Sequence, residues 1–296
     1  MTALVLLRSH LYSEQVKTAY ALLSHFSQAS EPLLLLDISK GDIQTDIPTL
    51  RFHGDRLRKI GIELYPENRW AWFAGDYALY CAFLERPDYS HYLMIDYDVR
   101  VNFSIDRLVD SVNSSNYDLV ACWAGFERDD WMWTAAGRHW FARVAGCFFP
   151  FVMLSRRLVV RCLEYRLSQS KSVPIEGRDK ARFLEQFWMN CEAFVPSVAL
   201  ENGYAMVSLD RLVPGWTYDY FRDVDLLHWD MPEVAEVPCA HPVFLREELP
   251  DQVKNKLRDL PGGSLRDLII NRVRKMRTTD QPLWNDIVTL NPELRD

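Results

Sequence analysis

His91-Tyr92-Leu93-Met94-Ile95-Asp96-Tyr97-Asp98-Val99-Arg100 runs five mostly apolar residues straight into two aspartates two positions apart. A short apolar run of this kind reads as a buried strand. Ligands of open α/β sheets bind beyond the carboxyl ends of the strands. Two carboxylates at such an end are poor packing material, because each costs several kcal/mol if buried unpaired. A divalent cation relieves that cost, since Mg²⁺ and Mn²⁺ take oxygen ligands and often link one or two carboxylates to substrate phosphates. The simpler alternative is a strand end whose polar residues enter solvent.

The flanking sequence supports a layered α/β fold. Ala3 to Leu7 and Pro32 to Ile38 read as buried strands, and Ser13 to Phe26 between them carries apolar residues at helical spacing. A loop region with Pro48, Gly54 and Pro66 follows, then a helix from Trp70 to Glu85. Beyond the aspartates we expect a short helix from Ile105 to Val112 and strands at Tyr117–Trp123 and Phe148–Leu154. A helix at Arg156–Ser168 and a loop over 169–180 come next. Phe183 to Phe194 reads as a helix interrupted by Pro196, continuing over Val195–Tyr204. Ala205 to Leu209 is a short strand, 210–240 is loop-rich, and helices parted at Pro261-Gly262-Gly263 close the chain. The expected organisation is one α/β domain over residues 1–245 with a helical extension over 246–296.

The 296 residues are 48% hydrophobic, enough for a sizeable core, and the net charge of -7 argues against a nucleic-acid-binding surface. Six scattered cysteines show no zinc spacing and read as reduced core thiols of a cytoplasmic protein. No apolar stretch approaches the ~18 residues of a membrane span.

The Asp96-Tyr97-Asp98 segment resembles the Asp-x-Asp motif of the GT-A glycosyltransferases, and the resemblance covers roughly residues 1 to 245. It implies a Rossmann-like mixed sheet flanked by helices. It also implies a metal, Mn²⁺ or Mg²⁺, held by Asp96 and Asp98 against the diphosphate of a nucleotide-sugar donor, with UDP- or GDP-linked sugars the first choices. Tyr97, between the two aspartates, is then a donor contact. Arg143-Val144-Ala145-Gly146-Cys147-Phe148 is similar to the family's glycine-containing turn, where Gly146 would let backbone approach the donor sugar. Asn190-Cys191-Glu192-Ala193 is similar in position to its acidic motif, which implies Glu192 as catalytic base. Ala193 departs from that pattern, standing where an aspartate is often found. Cys239-Ala240-His241-Pro242 supplies the histidine that can complete the metal site.

Further candidates follow from position and, for the helix before the aspartates, from what the resemblance implies about nucleotide contacts. Arg8 ends the first strand and could meet the nucleotide or form a surface ion pair. Asp76 could accept from a ribose hydroxyl, with Trp72 or Tyr77 stacking on the base. Trp131 and Trp133 lie in an aromatic loop and are the candidate platform for an acceptor glycan. Residues 264–277, with Leu265, Leu268, Ile269, Arg272 and Val273 at helical spacing, form a basic amphipathic helix. It suits either packing on the domain or peripheral contact with an anionic membrane carrying a lipid-linked acceptor.

Two other enzyme classes fit less well. Haloacid-dehalogenase-like phosphatases also carry Asp-x-Asp after a strand, but Arg100 stands where they have Thr or Val. Nucleotidyltransferases carry a glycine-rich loop after the first strand, whereas Leu6 to His10 has no glycine. A non-catalytic nucleotide-sugar or glycan-binding protein on the same scaffold is the alternative function.

Overall fold

The computed structural model describes residues 3–30, 32–216, 227–259 and 263–295. The chain divides into two compact units, one of Met1–Tyr97 with Ser104–Pro214 and one of Asp98–Phe103 with Gly215–Asp296. The division between the two units in the later part of the chain falls between Pro214 and Gly215.

The first unit is α/β. In chain order it holds β1 (Ala3–Ser9), α1 (Glu14–Phe26), β2 (Pro32–Asp37), β3 (Thr49–Phe52), α2 (Gly54–Lys59), α3 (Trp70–Phe73), α4 (Asp76–Glu85) and β4 (His91–Asp96). After β5 (Arg100–Val101), which belongs to the second unit, come α5 (Ile105–Ser115), β6 (Leu119–Phe126), α6 (Thr134–Gly137), β7 (Gly146–Ser155), α7 (Arg156–Ser172), α8 (Gly177–Phe187), α9 (Cys191–Glu201) and β8 (Met206–Ser208). Seven strands form one sheet in the order β3-β2-β1-β4-β7-β6-β8. It is a mixed sheet: β7 runs antiparallel to β4 and β6, and the other pairings are parallel.

The apolar strands earn this central place because both faces of the sheet are covered. Leu4 and Leu6 of β1, with Tyr92 and Met94 of β4, enter one core with residues of α4, α7 and α9. The alternating residues Val5, Leu7, Leu93 and Ile95 are just as buried, and α1 packs against β1 and β2. Local signals fix the helix ends. The Ser104 hydroxyl accepts from the Arg107 N–H at 3.3 Å to start α5, and Asn116 ends it with a φ of 53°.

Several elements differ from the sequence expectation. The expected loop region contains β3 and α2, whose Leu50, Phe52 and Leu57 reach the core. The expected helix over Trp70–Glu85 breaks at Ala74, whose backbone leaves the helical region (φ -118°, ψ 63°), and the next residue is a glycine because a Cβ there would run into the Arg8 guanidinium. Helices α7 and α8 take up much of the expected loop 169–180. Pro196 does not interrupt a helix: it lies inside α9, and the break comes earlier, at 188–190, where the Asn190 side chain caps the new helix.

The second unit pairs β5 with β10 (Cys239–Ala240), antiparallel, and β9 (Leu227–His228) with β11 (Val243–Phe244), parallel; α10 (Pro232–Glu236) lies between β9 and β10 in the chain. Segment 98–103 belongs here because of that β5–β10 ladder and because the Asn102 amide donates to the Val234 and Val237 carbonyls. Helices α11 (Leu249–Asp259), α12 (Ser264–Thr279) and α13 (Gln281–Leu290) follow and bury Leu249, Val253, Ile269, Val273, Trp284 and Ile287 together. Ile269 and Val273 of the basic amphipathic stripe are thus spent on this helical core rather than offered to a membrane, while Arg274, Lys275 and Arg277 face outward. The side chain of Leu265, the expected Pro261-Gly262 break and residues 217–226 of the expected loop lie outside the described residues.

All six cysteines are free thiols and buried. Among the described residues no helix is long and apolar enough to cross a membrane.

Candidate functional site

In the first unit the site starts from the parallel register of β1 and β4, which sets Arg8 beside Asp96. Arg8 Nε and Nη2 donate to the two Asp96 carboxylate oxygens, each at 2.7 Å. Arg8 Nη1 also donates to the Ala71 carbonyl at 3.3 Å, so one guanidinium ties the strand ends to α3. The Tyr97 N–H donates to the Arg8 carbonyl at 3.1 Å, and the Tyr97 ring meets His10 edge-on at 5.8 Å. Arg8, Asp96 and Tyr97 therefore cluster at the carboxyl edge of the sheet. Arg8 serves there as the clamp on Asp96.

Glu192 lies in the first turn of α9. Its N–H donates to Asn190 Oδ1 at 2.8 Å, and its Oε1 accepts from the Phe149 N–H of β7 at 3.4 Å. The half-buried carboxylate is held against the sheet rather than swung into solvent. Ala193, the departure from the acidic pattern, is fully buried, so an aspartate there would carry a charge into the core.

In the second unit Asp98 and His241 come together. The β5–β10 ladder sets Arg100 opposite Ala240, and the Val243 N–H donates to the Asp98 carbonyl at 2.7 Å. These bonds bring His241 Nε2 to 3.7 Å from Asp98 Oδ2, with side-chain exposures of 7% and 22%. Two donors on one ion with bonds of ~2.1 Å can stand up to ~4.2 Å apart, and an imidazole with a carboxylate suits Mn²⁺, so this pair fits a shared cation. Among the described residues no group of three or more His, Cys, Asp or Glu side chains is gathered to hold a metal ion. Any further ligands would be water or substrate oxygens.

Other expected contacts sit elsewhere. Asp76 is fully buried and cannot reach a ribose: Arg166 of α7 donates to both its oxygens, at 2.9 and 3.1 Å, and the Tyr80 hydroxyl donates at 2.7 Å. The signal was present, since a lone carboxylate among Tyr77, Ala78, Leu79 and Tyr80 calls for a buried counter-charge. Tyr77 cannot stack on a base either, being fully buried with its hydroxyl donating to the Glu63 carbonyl at 2.8 Å. Trp72 is 62% exposed. Gly146 has a packing reason, because a Cβ there would collide with the Phe126 ring. Trp131 and Trp133 are not open platforms: Trp131 lies against Phe126 at 4.8 Å and Trp133 against Phe73 at 5.5 Å, both packed on the core. A cavity of about 740 Å³ opens at the opposite end of β4, beside Ser90, His91 and Arg156. Its Arg157 and Arg161 are committed to Asp118 and Glu164, so we place no substrate there.

No protein-family model matches the chain, and no curated protein matches it. Among solved structures it is similar to mouse xyloside xylosyltransferase 1 in its apo form, at 10% identity and a TM-score of 0.42, covering 81% of this chain and 96% of that one. It is similar to the galactosyltransferase LgtC in complex with donor and acceptor sugar analogs, at 13% identity and a TM-score of 0.42, covering 70% and 73%. A glycosyltransferase involved in glycosylation of the major capsid of PBCV-1 gives 10% identity and a TM-score of 0.41, covering 85% and 100%.

Proposed function

We propose that the chain is a metal-dependent glycosyltransferase that moves a sugar from a nucleotide-sugar donor to a hydroxyl of a glycan or lipid-linked acceptor. The observation that carries this reading is the Asp98–His241 pair at 3.7 Å. Two residues far apart in the sequence lie next to each other, and a carboxylate beside an imidazole supports the reading because both are ligands that Mn²⁺ accepts.

Asp98 and His241 would hold Mn²⁺ or Mg²⁺. Bound there, the cation supplies Lewis-acid stabilisation of charge on the leaving nucleotide diphosphate. Asp96, two residues before Asp98 in the chain, keeps a fixed orientation under the Arg8 clamp. If the transfer inverts, Glu192 takes the proton of the acceptor hydroxyl as general base, with the Phe149 N–H orienting its carboxylate.

Calorimetric titration with UDP and GDP, with and without Mn²⁺, tests this reading. Metal-dependent binding of one nucleotide should be lost in Asp98→Ala and weakened at least ~10-fold in His241→Ala, with the fold intact. Unchanged nucleotide binding in Asp98→Ala would remove the metal assignment. Metal-dependent binding without turnover on any acceptor would favour a non-catalytic nucleotide-sugar-binding protein.

A further inference from the structure

We infer that Asp96 is the anchor of Arg8 and not a ligand of the cation, so that the metal centre takes one protein carboxylate, that of Asp98; this rests on the metal-dependent reading above. The motif makes Asp96 a candidate ligand, and its partner argues otherwise. The register of the parallel pair β1 and β4 sets Arg8 opposite Asp96, so their side chains leave the same face of the sheet as neighbours. Arg8 Nε and Nη2 take the two Asp96 oxygens, each at 2.7 Å. The surrounding chain is shaped for that fork. The Ala71 carbonyl accepts from Arg8 Nη1, and a Cβ at Gly75 would strike that same nitrogen and crowd the Phe149 ring. Register, a carbonyl and a glycine together seat the guanidinium, which makes the fork a built feature of this edge.

Geometry and charge both turn the cation away from Asp96. Two parallel N–H donors occupy the side of the carboxylate on which a cation would chelate both oxygens. A cation bound to one oxygen at ~2.1 Å would stand no farther than ~4.8 Å from the guanidinium nitrogen that lies 2.7 Å from that oxygen. Like charges so close oppose each other, the more so where neither side chain is fully in water. The guanidinium also balances the Asp96 charge, which leaves little to attract a second cation. Asp98 instead meets His241 Nε2 at 3.7 Å, a donor set of one carboxylate and one imidazole. The donor diphosphate supplies the remaining negative charge, so cation and nucleotide strengthen each other's binding.

The test is the double variant Arg8→Gln with Asp96→Asn, which removes both charges at once and leaves two neutral polar side chains. Calorimetry with UDP and GDP, each with and without Mn²⁺, reads metal-dependent nucleotide binding, and thermal melting reads the fold. The double variant should keep that binding within ~3-fold of wild type, while Asp98→Ala loses it. A double variant that melts cooperatively yet binds at least ~10-fold more weakly makes Asp96 a ligand and overturns the anchor assignment. Should the double variant not fold, Mn²⁺ anomalous scattering from wild-type crystals grown with the bound nucleotide decides. A cation farther than ~2.5 Å from both Asp96 oxygens upholds the assignment, and one nearer to either overturns it. The two readings fail differently. Metal-dependent binding lost in the folded double variant overturns the anchor alone and leaves the transferase standing. Wild-type nucleotide binding that ignores Mn²⁺ overturns the metal-dependent transferase and the anchor assignment with it.

Discussion

Arg8 grips Asp96 through two parallel N–H···O bonds of 2.7 Å, with side-chain exposures of only 14% and 17%. A planar guanidinium makes this fork and an ammonium does not. Arg8→Lys keeps the charge but loses one of the two parallel bonds to Asp96, so unfolding free energy should fall by about 1.5–3 kcal/mol, the usual worth of a hydrogen bond to a charged group. Urea denaturation checks this.

The buried Asp76–Arg166 pair should show a different signature. Both side chains are fully buried, and Arg166 also lies over the Phe194 ring at 3.8 Å and donates to the Met189 carbonyl at 3.0 Å. Asp76→Asn leaves an uncompensated charge in the core and should cost about 3–5 kcal/mol. Replacing both partners, as in Asp76→Leu with Arg166→Met, should recover part of that loss. A double-mutant cycle by urea denaturation reads the difference, and a single variant as stable as wild type would contradict the pairing.

Gly146→Ala puts a methyl group into the Phe126 ring and should destabilise by about 1–3 kcal/mol, the usual cost of overpacking. Phe126→Leu in the same chain should relieve it. Thermal melting of the two variants checks both statements.

Stability should fall as the pH drops below about 6.5. Burial pushes the His91 imidazole below its ordinary value of 6.5, and its Nε2 lies 3.2 Å from the Tyr117 carbonyl, a contact suited to the neutral ring donating N–H. Between the lowered folded value and 6.5 the unfolded chain binds more protons, so acid favours unfolding. His10 and His228 are lowered by burial too, so His91→Gln should make the wild-type decline in melting temperature between pH 7.5 and about 5 shallower without abolishing it.

Much of the sheet was legible because its strands are short apolar runs buried on both faces, as at Leu4–Leu7 and Tyr92–Ile95. The Asp98–His241 pairing was legible through the order of motifs. What stayed hidden depended on tertiary partners. Asp76 looked like a surface carboxylate until α7 brought Arg166 to it, and Trp131 looked like a platform until Phe126 closed over its edge. Trp123 carries no residue-type signal for positive φ; its conformation comes from the register shift against β7, which only the folded sheet defines.

The six buried thiols give the protein a silent chemistry of its own. Burial raises the Cys81 thiol to about 12 and lifts Cys147, Cys162 and Cys239 well above the ordinary thiol range. A thiolate is the reactive species, so the native chain offers an alkylating reagent almost nothing to attack. Every cysteine that reacts marks a moment when its part of the core has opened, and mass spectrometry of the labelled peptides would map local opening across β4's neighbours, α7 and the β5–β10 ladder without any engineered probe.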